Sequence, residues 1–129
     1  MANEEKPLVW VASCKKDLRA FPPDVQDVMG YALDLAQRGQ KHPDSKPMKG
    51  FGSGVLEVVD DYDGETYRAV YTVKYEGIVY AVHAFQKKSK KGDETPKPEL
   101  DKIDARLKAI EAQRQKERKK DGKDRVRAK

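Results

Sequence analysis

Arg68, His83, Phe85 and Lys87 are the side chains of this sequence best suited to chemistry, and they sit on two neighbouring runs rich in Val, Tyr, Thr and Ile, residues 66–75 and 78–87. An arginine is permanently charged and can give two parallel hydrogen bonds to one oxyanion. A histidine titrates near neutrality and can act as acid or base. Lysines packed beside other cations release protons more readily, which suits Lys87 and Lys88 to the same work, and Lys87, Lys88, Lys90 and Lys91 put four lysines into five positions. Such a set binds an anion and moves protons next to it. The only histidines are His42 and His83, with no carboxylates spaced around either, so the sequence offers no metal cluster and no cofactor motif.

A second set of cations lies in residues 40–54, where Lys46 and Lys49 are followed by Gly50, Gly52 and Gly54. Glycines beside lysines let the backbone approach a phosphate, although no phosphate-loop motif is matched. A flexible connector with solvated lysines accounts for the same residues. Arg68 and His83 have bland readings too: an ion pair with the acidic turn 60–65 for the arginine, and a hydrogen-bonded place under a sheet for the histidine.

The element that positions the first set is a β-hairpin. Glu76-Gly77 between two β-branched and aromatic runs predicts a two-residue turn, which pairs positions whose numbers sum to 153. Alternation then separates two surfaces. One carries Ala69, Tyr71, Val73, Tyr75, Ile78, Tyr80, Val82 and Ala84, apolar enough to bury against helices. The other carries Arg68, Thr72, Lys74, His83, Phe85 and Lys87.

Around the hairpin, residues 1–7 are polar and read as a disordered lead-in. Leu8–Ala12 predicts a strand and Ser13 an N-cap. A first helix through Leu18 and Phe21 is broken at Pro22-Pro23, and Val25, Val28, Met29, Ala32, Leu35 and Ala36 form one stripe of a second helix that Gly39 caps. Val55–Val59 predicts a strand, turned at Asp63-Gly64 into the hairpin. Leu100, Ile103, Leu107 and Ile110 form the narrow stripe of a last helix. The expected fold is α+β, in the order β-α-α-β-β-β-α, a small mainly antiparallel sheet with its helices on one face.

The formal charge of +5 sits in residues 111–129, with nine Lys or Arg against four acids, while residues 1–110 balance at eighteen of each. That end reads as a solvated helical extension or a disordered segment that solubilises the chain. One cysteine, Cys14, excludes an internal disulfide and fits a reducing compartment. The absence of an apolar run of roughly 20 residues or of a signal peptide makes a cytoplasmic protein the expectation.

The element order, Tyr67-Arg68-Ala69-Val70-Tyr71, Phe85-Gln86-Lys87-Lys88 and the Lys46–Gly52 loop together resemble the RelE/ParE superfamily of toxins, within it the phage-derived Gp49-like (HigB-type) group, over residues 8–112. The resemblance leaves the basic tail 113–129 outside and implies a RelE-like fold. It further implies a ribosome-dependent mRNA endonuclease without a cofactor, neutralised by a cognate antitoxin of helix-turn-helix type. By that similarity Arg68 matches the catalytic arginine, Lys87 and Lys88 the basic pair, and Lys46 and Lys49 the phosphate-contacting loop, with His83 a further acid/base candidate. Phe85 would stack a base, and Lys90 and Lys91 extend the phosphate contacts. Glu57 stands where RelE proper carries catalytic lysines, so the general base is left open. Two other classes fit the same fold: a gyrase-directed toxin of the ParE branch, and a non-catalytic protein that binds an antitoxin-like repressor.

Overall fold

The period-2 and period-3.6 stretches of the chain become five strands and three helices in the computed structural model, which describes residues 5–87 and 95–127. In chain order these are β1 (Leu8–Trp10), α1 (Cys14–Arg19), α2 (Pro23–Gln37), β2 (Ser45–Pro47), β3 (Val55–Tyr62), β4 (Glu65–Thr72), β5 (Val79–Lys87) and α3 (Lys97–Arg127). The sheet order is β1-β5-β4-β3-β2, parallel only between β1 and β5. The α+β class and mainly antiparallel sheet follow the expectation. The added strand β2 does not: it lies in the stretch read as a connector.

Local signals act as their chemistry dictates. Pro23 opens α2 at its first turn, where a missing N–H costs nothing. Gly39 (φ 78°) closes it, its N–H reaching Ala36 O at 3.0 Å while Gln40 N–H reaches Leu35 O at 2.7 Å, which satisfies two carbonyls of the last turn. Asp63 (φ 52°) and Gly64 (φ 79°) both take the left-handed conformation a tight β3–β4 turn needs. Ser13 precedes α1 but makes no capping bond, since its hydroxyl donates to Asp17 Oδ2 at 2.7 Å instead. Ahead of β1, Lys6 N–H donates to Gln37 O at 2.9 Å and Gln37 Nε2 to Lys6 O at 2.8 Å, so the chain is tied to α2 before the sheet begins.

The hairpin departs from its simplest pairing. Arg68 faces Phe85 and Val70 faces His83, but Tyr71 then faces Ala81 and Thr72 faces Tyr80. Val82 is therefore an extra residue, a bulge that moves Tyr80 from the surface expected for it to the opposite one. Six residues, Val73–Ile78, connect β4 to β5 in place of two, with Gly77 at φ 80°.

The helices do not share a face. Cys14, Leu18 and Phe21 of α1 and Val25, Met29, Ala32, Leu33 and Ala36 of α2 pack on Val58, Tyr67, Ala69, Tyr71, Val79, Ala81 and Ala84. Ile103 and Ile110 of α3, with Leu100 and Leu107 beside them, pack on Val55, Val70, Val82 and Phe85. The second surface of the hairpin is itself half apolar. Leaving Val70, Val82 and Phe85 in water would forfeit about 1.5–3 kcal/mol for each side chain, and the α3 stripe is the cover that prevents it.

Candidate anion-binding cleft

Between edge strand β2 and the start of α3 opens a cleft of about 570 Å³, lined by Lys46, Pro47, Met48, Lys49, Glu57, Thr95 and Leu100. Its cationic wall is placed by β2. Ser45 is buried and accepts a hydrogen bond from Tyr71 Oη at 2.8 Å, and Met48 N–H donates to Val55 O at 2.8 Å. Pro47 is tolerated because β2 is an edge strand. The register sets Lys46 opposite Glu57.

Glu57, 6 % exposed, is the acidic residue of the cleft lining, and Arg68, 3 % exposed, is buried behind it. Arg68 Nη1 donates to Glu57 Oε1 at 3.1 Å, and Lys46 Nζ lies 3.7 Å from the same oxygen. Glu57 and Arg68 are diagonal neighbours across β3 and β4, because Glu57 faces Val70 and Arg68 faces Val59. Arg68 Nε is buried without a hydrogen-bond partner. A carboxylate that opens into a cleft can take a proton, and the buried guanidinium behind it supplies the positive charge that holds it in place.

Arg68 thus has an ion-pair partner, but from β3 and not from the acidic turn. Lys87 is buried at the end of β5, opposite Thr66 and on the Arg68 surface. Lys46 and Lys49 join Glu57 at the cleft. Lys88, Lys90 and Lys91 lie outside the described residues.

His83 and Phe85 lie under α3 and do not line the cleft. Arg106 Nη1 donates to His83 Nδ1 at 2.9 Å, so the ring proton sits on Nε2 and is given to Glu99 Oε1 at 2.6 Å. Burial lowers the histidine pKa, and neighbouring Arg106 lowers it further, against the opposing pull of Glu99. A neutral ring clamped at both nitrogens joins β5 to α3. Phe85 stacks on it, ring centroids 5.2 Å apart and planes at 21°, and is 7 % exposed. The face expected to receive a base is occupied by the histidine.

Glu99 and Arg106 escaped the reading of the sequence, although a signal was present. Glu99, Ile103 and Arg106 are spaced i, i+4, i+7, so a buried Ile103 carries both polar residues to the sheet. A second clamp lies further along α3. The Arg114 guanidinium sits 4.3 Å over the Tyr75 ring and donates to Tyr80 Oη at 3.0 Å, and Tyr75 Oη donates to Glu111 Oε1 at 2.6 Å. Burial and the Glu111 carboxylate push the Tyr75 hydroxyl up to about 12. Among the described residues, no helix is long and apolar enough to cross a membrane, and no group of three or more His, Cys, Asp or Glu could hold a metal ion.

The family model described as "Phage derived protein Gp49-like" matches residues 16–108. Among solved structures, a chain of the toxin–antitoxin complex RelBE2 from Mycobacterium tuberculosis is similar at a TM-score of 0.46 and 14 % identity, covering 66 % of this chain and 94 % of that chain. No curated protein matches the sequence significantly.

Proposed function

The chain belongs to the phage-derived Gp49-like protein family, and we propose that it is the toxin of a type II toxin–antitoxin system, an endoribonuclease that cuts mRNA on the ribosome. The observation that supports cleavage is the Glu57 carboxylate, held 3.1 Å from Arg68 and 3.7 Å from Lys46 at the edge of an open cleft. In this reading Glu57 takes the proton from a ribose 2′-hydroxyl, the O2′–P bond forms, and the P–O5′ bond breaks. Arg68 and Lys49 balance the charge that builds on the phosphorane oxygens, and the Lys46 ammonium returns a proton to O5′. Lys87 supports the same face from the end of β5, and Lys88, Lys90 and Lys91 contribute positive charge for RNA binding. His83 acts by fixing α3, and so the Leu100 wall of the cleft, and Phe85 by holding His83. Neutralisation falls to a cognate antitoxin, of helix-turn-helix type, whose acidic side chains cover Lys46 and Lys49.

A translating extract with wild type, Glu57→Gln and Lys46→Gln tests this, mRNA 5′ ends being mapped by primer extension. New ends inside translated codons that vanish in Glu57→Gln, with its unfolding temperature close to wild type, are the expected result. One feature favours a second reading: Arg68 is already paired and 3 % exposed, as a purely structural ion pair would be. Growth arrest with intact mRNA would assign the protein to gyrase-directed toxins, and neither effect would leave a non-catalytic binder of an antitoxin-like repressor.

A further inference from the structure

Helix α2 packs on the sheet with one side only. Val25, Met29, Ala32, Leu33 and Ala36 are buried, and at about 100° per residue Asp27, Gly30 and Tyr31 turn to the opposite side. That side faces away from the sheet, on the surface of the molecule across from α3.

Tyr31 is 55 % exposed, the most open of the large apolar side chains among the described residues. Its ring is held edge-on to His42, with centroids 5.5 Å apart and planes at 82°. Beside it, Gly30 stands in the middle of the helix, where glycine weakens helix formation relative to alanine. A β-carbon built on Gly30 meets no atom within 4 Å. Packing within the chain therefore gives no reason for this bare backbone, whereas a partner resting on the helix gains close approach there.

The same face is acidic. Asp27 is exposed and has no ion-pair partner among the described residues. One turn earlier, Asp24 lies beside Tyr62, 36 % exposed, and its charge raises the pKa of the tyrosine hydroxyl. Asp60 is raised first by its own burial and then by Asp44, Asp61 and Asp24, against the opposing pull of His42. Carboxylates that oppose one another's ionisation are relieved by a cation from outside.

We propose that this face of α2 docks a cationic amphipathic helix of a partner protein, which crosses at Gly30, sets an apolar side chain against Tyr31 and aims Lys or Arg at Asp24 and Asp27. Helices pack with their axes about 8–10 Å apart, and a side chain at position 30 would hold a partner further off. The exposed aromatic supplies an anchor and the carboxylates the charge match. Nucleic acid and an anionic membrane surface are repelled by the same carboxylates. A second copy of this chain, docked about a two-fold axis, would set Asp27 against Asp27, which like charge disfavours.

The probe is a fluorescein-labelled synthetic helix of 15 residues, as long as α2, with lysines and arginines flanking a leucine stripe. Fluorescence anisotropy measures its binding to the full wild-type chain and to Gly30→Gln, Tyr31→Ala and Asp27→Lys. Each variant is expected to bind at least about tenfold more weakly. Gly30→Gln should unfold at or above the wild-type temperature, since its side chain enters open space and glutamine favours the helix; its loss of binding is then not a loss of fold. Equal affinity for wild type and Gly30→Gln, or no binding to the wild type, would overturn the proposal. So would polylysine bound as tightly as the probe, which reduces the face to unspecific charge. Sedimentation of the wild type alone as a dimer that Tyr31→Ala converts to a monomer would assign the face to a second copy instead.

Discussion

Replacing Arg68 with alanine strands the Glu57 carboxylate. That group is 6 % exposed, and after the change its nearest cation is Lys46, whose Nζ lies 3.7 Å from Oε1 and whose side chain is 56 % exposed. Removing one member of a buried pair costs about 3–5 kcal/mol, because the partner keeps its desolvation and loses its compensation. A domain of this size shifts by a few degrees per kcal/mol, so Arg68→Ala should unfold roughly 10–20 °C below wild type. Replacing both members with apolar residues of similar volume, Arg68→Met with Glu57→Leu, removes the stranded charge and should recover most of that loss. Urea and thermal unfolding measure the stability, and the primer-extension assay measures cleavage on the same three proteins. If the pair is both structural and chemical, the double variant folds and does not cut. Arg68→Ala unfolding within about 0.5 kcal/mol of wild type would refute the reasoning, since Glu57 could not then be desolvated as its burial implies. A double variant that still cuts mRNA would remove both residues from the chemistry.

His83 should make stability depend on acidity. Its folded-state pKa is lowered below the ordinary value of 6.5, so the unfolded chain binds the proton more readily and stability falls as pH drops below that value; unfolding free energies at pH 7.5 and 5 should differ more for wild type than for His83→Gln. A β-carbon added at Gly54 (φ +85°) would lie 2.9 Å from Lys74 Cα, and Gly54→Ala should cost about 1–3 kcal/mol by urea unfolding. Ile103 is fully buried, and Ile103→Ala should cost about 2–5 kcal/mol and speed amide exchange across α3. Burial pushes the Cys14 thiol up to about 12, so a thiol reagent at neutral pH should label it only as fast as the chain unfolds.

The local and periodic features were legible in the chain. Pro22-Pro23, Gly39 and Asp63-Gly64 have few backbone options, so their turns follow from covalent geometry. Strands β3, β4 and β5 and the three helices follow from their spacing, and so does the separation of Arg68, His83 and Phe85 from Ala69 and Tyr71. The resemblance to Gp49-like proteins rested on short runs in the right order, and the family match over residues 16–108 bears it out.

What the sequence could not decide was what covers the surface it marked as chemical. Binary pattern says that Val70 and Phe85 alternate with polar residues; it does not say that α3 crosses to that side, because a three-four stripe such as Leu100–Ile110 fits either face of a sheet. The bulge at Val82 is equally silent, since one inserted residue changes no composition and yet moves Tyr80 to the other surface. Strand β2 is made by pairing across the sheet to β3, and only that pairing brings Lys46 to Glu57. Sequence alone therefore determined which side chains could do chemistry and which strands carry them. Tertiary structure decided which are sealed, His83 and Phe85 beneath a helix, and which meet at an opening, because burial and ion pairing depend on contacts between residues far apart in the chain.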